Sequence, residues 1–534
     1  VEMTLRTLFE SPTVADLAAS LDELRRAGAG TIAPPIGPVS RDSQLPLSYA
    51  QRRVWFFDQL EPGMAFYNLP AAVRMKGRLN VAALEQALNE LVRRHESLRT
   101  RYVAVDGRPV QVIDEFAPTP LALTDLTCLP ADEREEEAKR LAGLEARRPF
   151  NLARGPLMRT GLLRISEEDH VLLVTLHRIN SDAWSQAVFV GDMATLYTAF
   201  SEGRESPLAE LPLQFADFAA WQNEWFQSAD YETHLSYWKR QLAGAPAALN
   251  LPADRPRASV EEFTRGGGLK RFEPSQALFS QLEAFNRQEG VTTFITLLAL
   301  FNVVLWHHSG QEDIVVGFMT ANRNRRETEN LIGYLINMVP LRTNLAGDPT
   351  FRELLVRVRE TALEAYAHED IPFDKLAAEA LPERDPNRRP LVQAIFGFKS
   401  DPIAPPKLPR LDVSFFEQAS AGMSFDTIDL TLDLEGSSRG MYGDLAYSRD
   451  LFDDSTMARF IGDYERLLQH VVAQPDSRLS ELKQSLEEAE RRETLAKQEE
   501  FKQSKRRAFK NVRPKPVGTP AAREGEPEYE LTTV

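Results

Sequence analysis

Apolar residues along the chain fall alternately at helical and at strand spacing. Helical spacing occurs near residues 48–60, 80–95, 184–200, 292–308 and 350–367. Short apolar runs typical of strands occur near residues 69–76, 98–104, 171–176, 314–319, 391–398 and 442–447. Because helices and strands alternate in both halves of the chain, the pattern predicts an α/β fold built from two halves of similar construction.

The two ends of the chain have different patterns. Residues 5–26 contain a predicted helix that begins after a Pro-Thr pair, and residues 28–44 are a predicted linker because prolines interrupt them. Residues 478–508 carry charges of both signs at i,i+4 spacing, which predicts a charged helix that faces solvent or a partner. Residues 509–534 contain too few apolar side chains to fold alone and are predicted to be a disordered tail.

Composition limits the classes of partner. The formal net charge of −15 argues against nucleic-acid and anionic-membrane surfaces, and favours small molecules or proteins. The single cysteine, Cys128, rules out an internal disulfide and fits a cytoplasmic location. No apolar run reaches the roughly 18 residues that span a membrane. The chain begins with Val1 rather than Met, which indicates a segment of a longer protein.

Separated motifs along the chain share one order and spacing with a known family. They are LSYAQRRVWFFDQL (47–60), RHESLRT (94–100), LHRINSDAWS (176–185), FADFAAWQ (215–222), IGYLINMVPLR (332–342), HEDIPFD (368–374) and RDPNRRPL (384–391). With these motifs the chain resembles, over about residues 44–475, a condensation domain of a nonribosomal peptide synthetase. The run VEMTLRTLFESPTVADLAASL at the start is similar to the last part of a peptidyl carrier protein.

The resemblance implies an architecture. Two chloramphenicol-acetyltransferase-like subdomains, residues 45–220 and 221–477, are expected to form a V-shaped pseudo-dimer with the active site in a tunnel between them. Residues 1–27 are the expected C-terminal fragment of a carrier domain, whose modified serine would lie upstream. The family binds no cofactor or metal in this domain. Its substrates arrive on phosphopantetheine arms, so carrier proteins upstream and downstream are expected partners.

One motif departs from the family pattern His-His-x-x-x-Asp-Gly. In this chain the four marked positions are His177, Arg178, Asp182 and Ala183. The resemblance assigns the handling of the acceptor amine's proton to the second histidine, and Arg178 cannot replace it because a guanidinium keeps its proton in proteins. Loss of a general base typically costs about 10²–10⁴ in rate, so residual activity from positioning is conceivable. Ala183 adds a methyl group where the acceptor would pass.

Other residues of the motifs are candidates for the tunnel wall or its scaffold. They are Ser48, Arg53, Arg94, His95, Arg99, Trp184, Ser185, Asn337 and Arg342. A further group is expected in the core, namely Trp55, Phe56, Phe57, Phe373 and Leu391. The resemblance gives Asp182 a structural role opposite an arginine, with Arg323, Arg325 and Arg326 as candidates and Arg178 as a competitor. For His177 the alternative to catalysis is a buried hydrogen bond at the end of a strand.

Two short sequences suggest ligand sites and are interpreted otherwise. His307 and His308 end an apolar helix, but adjacent helical positions point apart and no third ligand is expected nearby, so no metal site is predicted. Arg265 to Gly268 lacks the Lys-Ser/Thr ending of a phosphate loop and is expected to be a turn into a strand.

Three functions fit the resemblance. The first is an interface or X-like domain, without catalysis, that recruits an iron/2-oxoglutarate hydroxylase or a cytochrome P450 to a carrier-bound aminoacyl group. The second is an active condensation domain that forms an amide or ester bond despite the altered motif, with Arg178 either natural or engineered. The third, an epimerisation domain, also expects the missing histidine and gains nothing from Arg178.

Overall fold

A computed structural model describes residues 5–11, 13–27, 34–257, 266–380, 391–400, 405–416, 428–437 and 440–511. The predicted tail therefore lies outside the described residues from 512 onward, as do most of the RDPNRRPL motif and the start of the linker. The chain divides into two compact units, residues 1–479 and 480–534.

The helices and strands follow the predicted alternation. In the first part of the chain they are α1 Leu5–Glu10, α2 Val14–Ala27, β1 Leu45–Pro46, α3 Tyr49–Leu60, β2 Asn68–Gly77, α4 Val81–Arg94, β3 Thr100–Val105, β4 Arg108–Ile113, β5 Leu123–Asp125, α5 Arg134–Arg147, β6 Met158–Ser166, β7 Asp169–His177, α6 Ala183–Ser201, α7 Phe215–Trp225 and α8 Ala229–Gln241. In the second part they are β8 Gly267–Phe272, α9 Gln276–Glu289, α10 Thr293–Ser309, β9 Asp313–Thr320, β10 Asn337–Asn344, α11 Phe351–Tyr366, α12 Phe373–Ala380, β11 Ala394–Lys399, β12 Leu411–Phe415, β13 Leu430–Ser437, β14 Gly440–Ser448, α13 Asp454–Ala473 and α14 Leu479–Asn511.

Two large sheets organise the first unit. One has the strand order β12-β2-β7-β6-β5, and the other has the order β10-β9-β11-β13-β14-β8. Apolar side chains of α4 and α6 cover one face of the first sheet, and α5 packs on the other face. The second sheet is covered by α9, α10 and α13, with α11 against β10. A smaller sheet, β1-β4-β3, adjoins the first half. The predicted mixed α/β fold with two similar halves is confirmed.

The two large sheets are not built from separate stretches of the chain. The expected boundary between residues 220 and 221 falls inside α7. Strand β12 lies far along the second half of the chain, yet it pairs antiparallel with β2 of the first sheet, with Val413 opposite Met75. The first sheet therefore needs a strand that arrives more than three hundred residues after β2.

The described part of the predicted linker, residues 34–44, is held against α7. The indole of Trp221 donates to the carbonyl of Pro34 at 2.7 Å, and the backbone N–H of Val39 donates to Asp217 at 2.9 Å. Arg41 forms an ion pair with the same carboxylate, Nη1 to Oδ1, at 2.6 Å. This segment is therefore anchored along its length and is not a free tether.

Within the described ranges no single helix is long and apolar enough to cross a membrane. The bent pair α9 and α10 passes by length and composition, but the two helices meet at 104°. The apolar side chains of α10 are buried almost all round, from Ile295 to Leu305. This pattern is typical of a helix in the centre of a protein core.

Candidate functional site

The altered motif lies at a strand–turn–helix junction. Strand β7 ends at His177, a single 3-10 turn covers Arg178–Asn180, and α6 begins at Ala183. Asp182 caps α6, because its Oδ1 accepts the backbone N–H of Ser185 at 2.8 Å. The cap fixes the end of the turn, so the motif side chains project from a defined backbone.

Asp182 ties this junction to the second half of the chain. Its carboxylate is bound by both Nη atoms of Arg323 at 3.0 Å, and it accepts the backbone N–H groups of Leu335 at 3.0 Å and Ile336 at 3.2 Å. The Ser185 hydroxyl also lies 2.8 Å from Oδ1. Since both oxygens are engaged by several donors and both charged groups are buried, Asp182 is a structural crosslink. The predicted arginine partner is confirmed and is Arg323.

His177 is buried and its ring has a structural contact. Its Nδ1 accepts the backbone N–H of Ile179 at 3.2 Å, which places the proton of the neutral ring on Nε2. The ring lies between the aromatic rings of Tyr67 and Phe150, with centroids 6.0 and 5.7 Å away. The alternative interpretation, a buried hydrogen bond at a strand end, describes this geometry.

The surroundings of His177 oppose its protonation. Burial, followed by the positive charges of Arg178 and Arg159, lowers the pKa of His177 to about 3. The ring is therefore neutral at neutral pH and, with Nδ1 occupied and Nε2 protonated, it offers no free lone pair to an incoming amine. His177 has neither the pKa nor the free acceptor atom of a general base.

Three neighbours of His177 in the motif are exposed. Arg178, Ala183 and Trp184 all face solvent-accessible space. The side chain of Arg178 makes no hydrogen bond or ion pair with any residue that the structure describes. The indole of Trp184 donates to the carbonyl of Glu329 at 2.8 Å. Arg178 therefore places a permanent, exposed positive charge directly after buried His177.

Gln51 supports the 3-10 turn from its buried side. This residue belongs to the first motif, and the sequence alone indicated no role for it. Its side-chain amide donates to the hydroxyl of Tyr102 at 2.7 Å and to the carbonyl of Ile179 at 3.2 Å. Tyr102 in turn donates to Asn180 at 2.6 Å. Ser48 positions Gln51 by a capping box at the start of α3. A polar side chain on the buried stripe of this helix is the sequence signal for such support.

The predicted scaffold residues near the first sheet make hydrogen bonds, one of which is also an ion pair. Arg94 and His95 share the carboxylate of Asp192, at 3.1 and 3.0 Å. Burial lowers the pKa of His95, although Asp192 opposes the shift. Arg99 donates to the carbonyl of Asp114 at 2.5 Å. These contacts hold α4 and the following turn in place.

The scaffold residues of the second half hold loops. The amide of Asn337 donates to the carbonyls of Glu369 and Ile371, both at 2.7 Å, and its oxygen accepts the N–H of Phe373 at 3.1 Å. Arg342 pairs with Asp313 at 2.7 Å. Asn337 thus fixes the HEDIPFD loop.

Arg53 extends this set across the two halves. Its Nη1 lies 3.1 Å from Oδ2 of Asp374, which belongs to the same HEDIPFD motif. Both side chains are more than a third exposed, so the pair adds little to stability.

The expectation that both aromatic residues after Trp55 belong to the core is wrong. Phe56 is 56% exposed and Phe57 is 38% exposed, whereas Phe373 and Leu391 are buried as predicted. On α3 the buried stripe follows Gln51, Val54 and the half-buried Trp55, so Phe56 and Phe57 project away from that stripe.

The expectation that no third metal-binding group lies near His307 and His308 is also wrong. Asp463 on α13 brings a carboxylate to within 4.8 Å of both imidazoles. That carboxylate already pairs with His308 at 3.1 Å and with Arg466 at 3.0 Å. The group is explained by these contacts between side chains, so it supports no metal assignment.

The phosphate-loop alternative is excluded by geometry. Gly266 adopts a left-handed backbone with φ +71°, and β8 starts at the next residue. The segment is a turn into a strand as predicted, with Arg265 outside the described residues.

Fold and junction together define a class: a two-sheet α/β protein with a structural aspartate that joins its halves. A family model described as "Condensation domain" matches residues 41–495. The chain belongs to the condensation-domain family of nonribosomal peptide synthetases.

Curated relatives are long synthetases. One of the linear gramicidin synthase polypeptides of Brevibacillus parabrevis is 45% identical over 90% of this chain, which spans 6% of that protein. Chondramide synthase cmdD of Chondromyces crocatus is 41% identical over 86% of this chain and 12% of its own length. The chain thus corresponds to a small part of each.

Solved structures include domains of two kinds. The X-domain from teicoplanin biosynthesis is 30% identical with a TM-score of 0.74, covering 84% of this chain and 99% of that one. The same kind of domain in complex with OxyB gives 30% identity and a TM-score of 0.72, over 85% and 99% of the two chains. The first condensation domain of the calcium-dependent antibiotic synthetase, 21% identical with a TM-score of 0.67 over 82% and 98%, shares the fold.

Proposed function

We propose that this chain is a non-catalytic interface domain that recruits a tailoring oxygenase to a carrier-bound aminoacyl substrate. The observation that carries the proposal is the state of the motif. Its one histidine, His177, is buried, neutral and already bonded through Nδ1, and Arg178 holds a fixed positive charge at the second position. The domain keeps the crosslink at Asp182 that shapes the fold but lacks the general base.

The partners follow from the same proposal. The substrate reaches the domain on the phosphopantetheine arm of a carrier protein, and the recruited enzyme is an iron/2-oxoglutarate hydroxylase or a cytochrome P450. Support comes from the X-domain that forms a complex with OxyB, which is 30% identical to this chain. The exposed aromatic side chains of Phe56 and Phe57 also indicate a surface suited to a protein partner.

A second candidate is an active condensation domain. The higher identity, 45%, to the linear gramicidin synthase polypeptide favours it. In that case the domain accelerates the reaction by positioning the substrates, because bringing two tethered reactants together can itself lower the activation barrier substantially. Half-buried Glu369, whose pKa is raised by desolvation to about 7, would then be the carboxylate to test as a proton acceptor, with Glu369→Gln as its variant.

The deciding experiment is a single-turnover condensation assay. Donor and acceptor carrier proteins are loaded with the assembly line's own substrates, and product is measured by mass spectrometry. The interface proposal expects no product above the rate without the domain. It also expects a purified oxygenase of the same gene cluster to bind equally well to the wild type and to the double variant Arg178→His, Ala183→Gly.

Two results would contradict the proposal. One is product formation by the wild type at the rate of an intact condensation domain run in parallel. The other is loss of oxygenase binding in the double variant while its fold is preserved, because the proposed docking surface does not include the motif.

A further inference from the structure

The carrier-like segment at the start of the chain is attached to the second half of the domain. Arg6 of α1 places Nη2 2.8 Å from Glu360 and 2.8 Å from Glu364, both on α11. Helix α11 packs against β10 of the six-stranded sheet, whereas the motif turn after β7 belongs to the other sheet. The segment therefore rests on the half of the molecule that does not carry His177.

The carboxylates of Glu360 and Glu364 together bind one guanidinium group, that of Arg6. Glu360 and Glu364 lie one helical turn apart, where two like charges repel each other and destabilise the helix. Arg6 lies between them and offsets this repulsion, and a single weaker contact from Arg359 at 3.7 Å also reaches Glu360. The buried face of α11 is formed by other residues, including Leu354 and Val358, so the two glutamate side chains take no part in core packing.

Helices α1 and α2 are tied to each other. The hydroxyls of Ser11 and Ser20 are 2.8 Å apart, and Thr13 caps α2 through the N–H of Asp16 at 3.2 Å. A contact made by Arg6 on α1 therefore also positions α2, whose first residue Val14 is 87% exposed.

We infer that Glu360 and Glu364 form a resting dock, a site that holds the upstream carrier domain while it is not delivering its arm. Arg6 is the residue on the carrier side that binds to this dock. The inference rests on the assignment of residues 1–27 to a carrier domain and not on the oxygenase proposal. The strength of the contact between Arg6 and the two glutamates suits a resting position. All three side chains are at least a third exposed, at 36%, 44% and 46%, so the contact is weak and screened by salt. A carrier held in this way can leave to deliver its arm.

Pulsed electron paramagnetic resonance measures the docked fraction directly. Spin labels are placed on Val14→Cys and Leu269→Cys, both exposed positions, in a Cys128→Ser background. The chain of 534 residues and the native module with its whole carrier domain are compared. Leu269 lies on β8, at the opposite edge of the sheet from β10, so the docked state is recognised by a narrow distance distribution. We expect one narrow population at low salt, which declines as the ionic strength approaches about 1 M, where the Debye length is about 3 Å.

Charge reversal tests the residues. The variant Glu360→Lys, Glu364→Lys should lower the ratio of docked to free carrier about tenfold, as expected for two exposed ion pairs that become repulsive. Adding Arg6→Glu should restore most of the narrow population. The matched control is Glu283→Lys with Glu312→Lys, which makes the same change of net charge away from α11. Glu283 lies on α9 and Glu312 follows α10, and both are exposed, so the ratio should be unchanged.

Two outcomes would overturn the inference. The first is a broad distance distribution in the wild type at low salt. The second is an equal loss in the control variant, or no recovery on adding Arg6→Glu, with circular dichroism showing all variants folded. None of these readouts depends on condensation or on oxygenase binding, so the dock can fail while the proposed function stands, and the reverse.

Discussion

Asp182 connects two parts of the chain through a buried ion pair with Arg323, and it is the first residue to test. Replacing Asp182 with Asn leaves the guanidinium, whose side chain is 1% exposed, without a counter-charge. Breaking a buried pair in this way typically costs about 3–5 kcal/mol, and we expect a loss of this size in the free energy of unfolding measured with urea.

The matched control for this prediction is Asp374→Asn. It removes the partner of Arg53 in an ion pair that also joins the two halves but is more than a third exposed. Exposed pairs contribute less than about 1 kcal/mol, so the control should be close to wild type. Equal effects of the two substitutions would show that Asp182 is not the crosslink described above.

The neutral state of His177 makes stability depend on pH. The unfolded imidazole has a pKa of about 6.5, whereas the folded group has a pKa of about 3. Because the folded pKa is the lower one, protonation favours the unfolded chain, and the contribution of His177 to stability is lost as the pH falls below about 6.5. Between pH 7 and pH 5 this group should remove about 2 kcal/mol of stability.

The variant His177→Asn isolates that effect, because Oδ1 of asparagine can accept the N–H of Ile179 in place of Nδ1 but does not titrate. Urea unfolding at pH 7, 6 and 5 should show a shallower loss of stability for the variant than for the wild type. Other histidines, such as His95 and His368, are common to both proteins and cancel in the comparison. Parallel pH profiles would contradict the assigned state of His177.

At the scale of elements, two of the family motifs meet at a glycine. A Cβ built on Gly333 would lie 1.8 Å from the ring of Phe215, which is buried on α7. The substitution Gly333→Ala forces one of these elements to move, and overpacking of this kind typically costs about 1–3 kcal/mol or more. Thermal unfolding should show a clearly lower midpoint.

The control glycine lies on a helix. Gly191 is exposed within α6, and a Cβ there meets nothing within 4 Å. Gly191→Ala should therefore stabilise the protein by about 0.5–1 kcal/mol, because alanine restricts the unfolded chain and favours a helix. If both alanines lower the midpoint, the contact between Gly333 and Phe215 is not the cause.

Helix α3 shows which features of a helix its sequence pattern predicts and which it does not. The spacing of its apolar residues predicted a helix near residues 48–60, close to the observed bounds Tyr49–Leu60. The pattern did not say which aromatic residues face inward, because Trp55, Phe56 and Phe57 are consecutive and cover most directions around the axis. The neighbouring chain, and not α3 itself, selects the buried face.

At the scale of the whole molecule, the first unit should unfold cooperatively. Fragment 45–220 lacks β12, which covers the edge of β2, and it ends inside α7. It also lacks Arg323, the partner of buried Asp182. We expect neither 45–220 nor 221–477 to give a cooperative thermal transition when made alone, whereas residues 34–479 should give a single one by calorimetry.

The outcome against this prediction is a sharp transition for either fragment. A fragment of 45–220 that folds would show that the first sheet tolerates the loss of its fifth strand. Joining residues 405–416 to that fragment is the direct test of β12, since any gain in order must then come from the pairing of Val413 with Met75 and its neighbours.

The sequence by itself determined the elements, the α/β class, the family and the presence of an arginine directly after His177. These properties are carried by the spacing of apolar residues and by short motifs, each made of a few neighbouring residues. Only the tertiary structure selected Arg323 among three candidate arginines, placed β12 beside β2, exposed Phe56 and brought Asp463 to His308. The physical reason is sequence separation: Asp182 and Arg323 are 141 residues apart, and such pairs are set by how the sheets and helices pack.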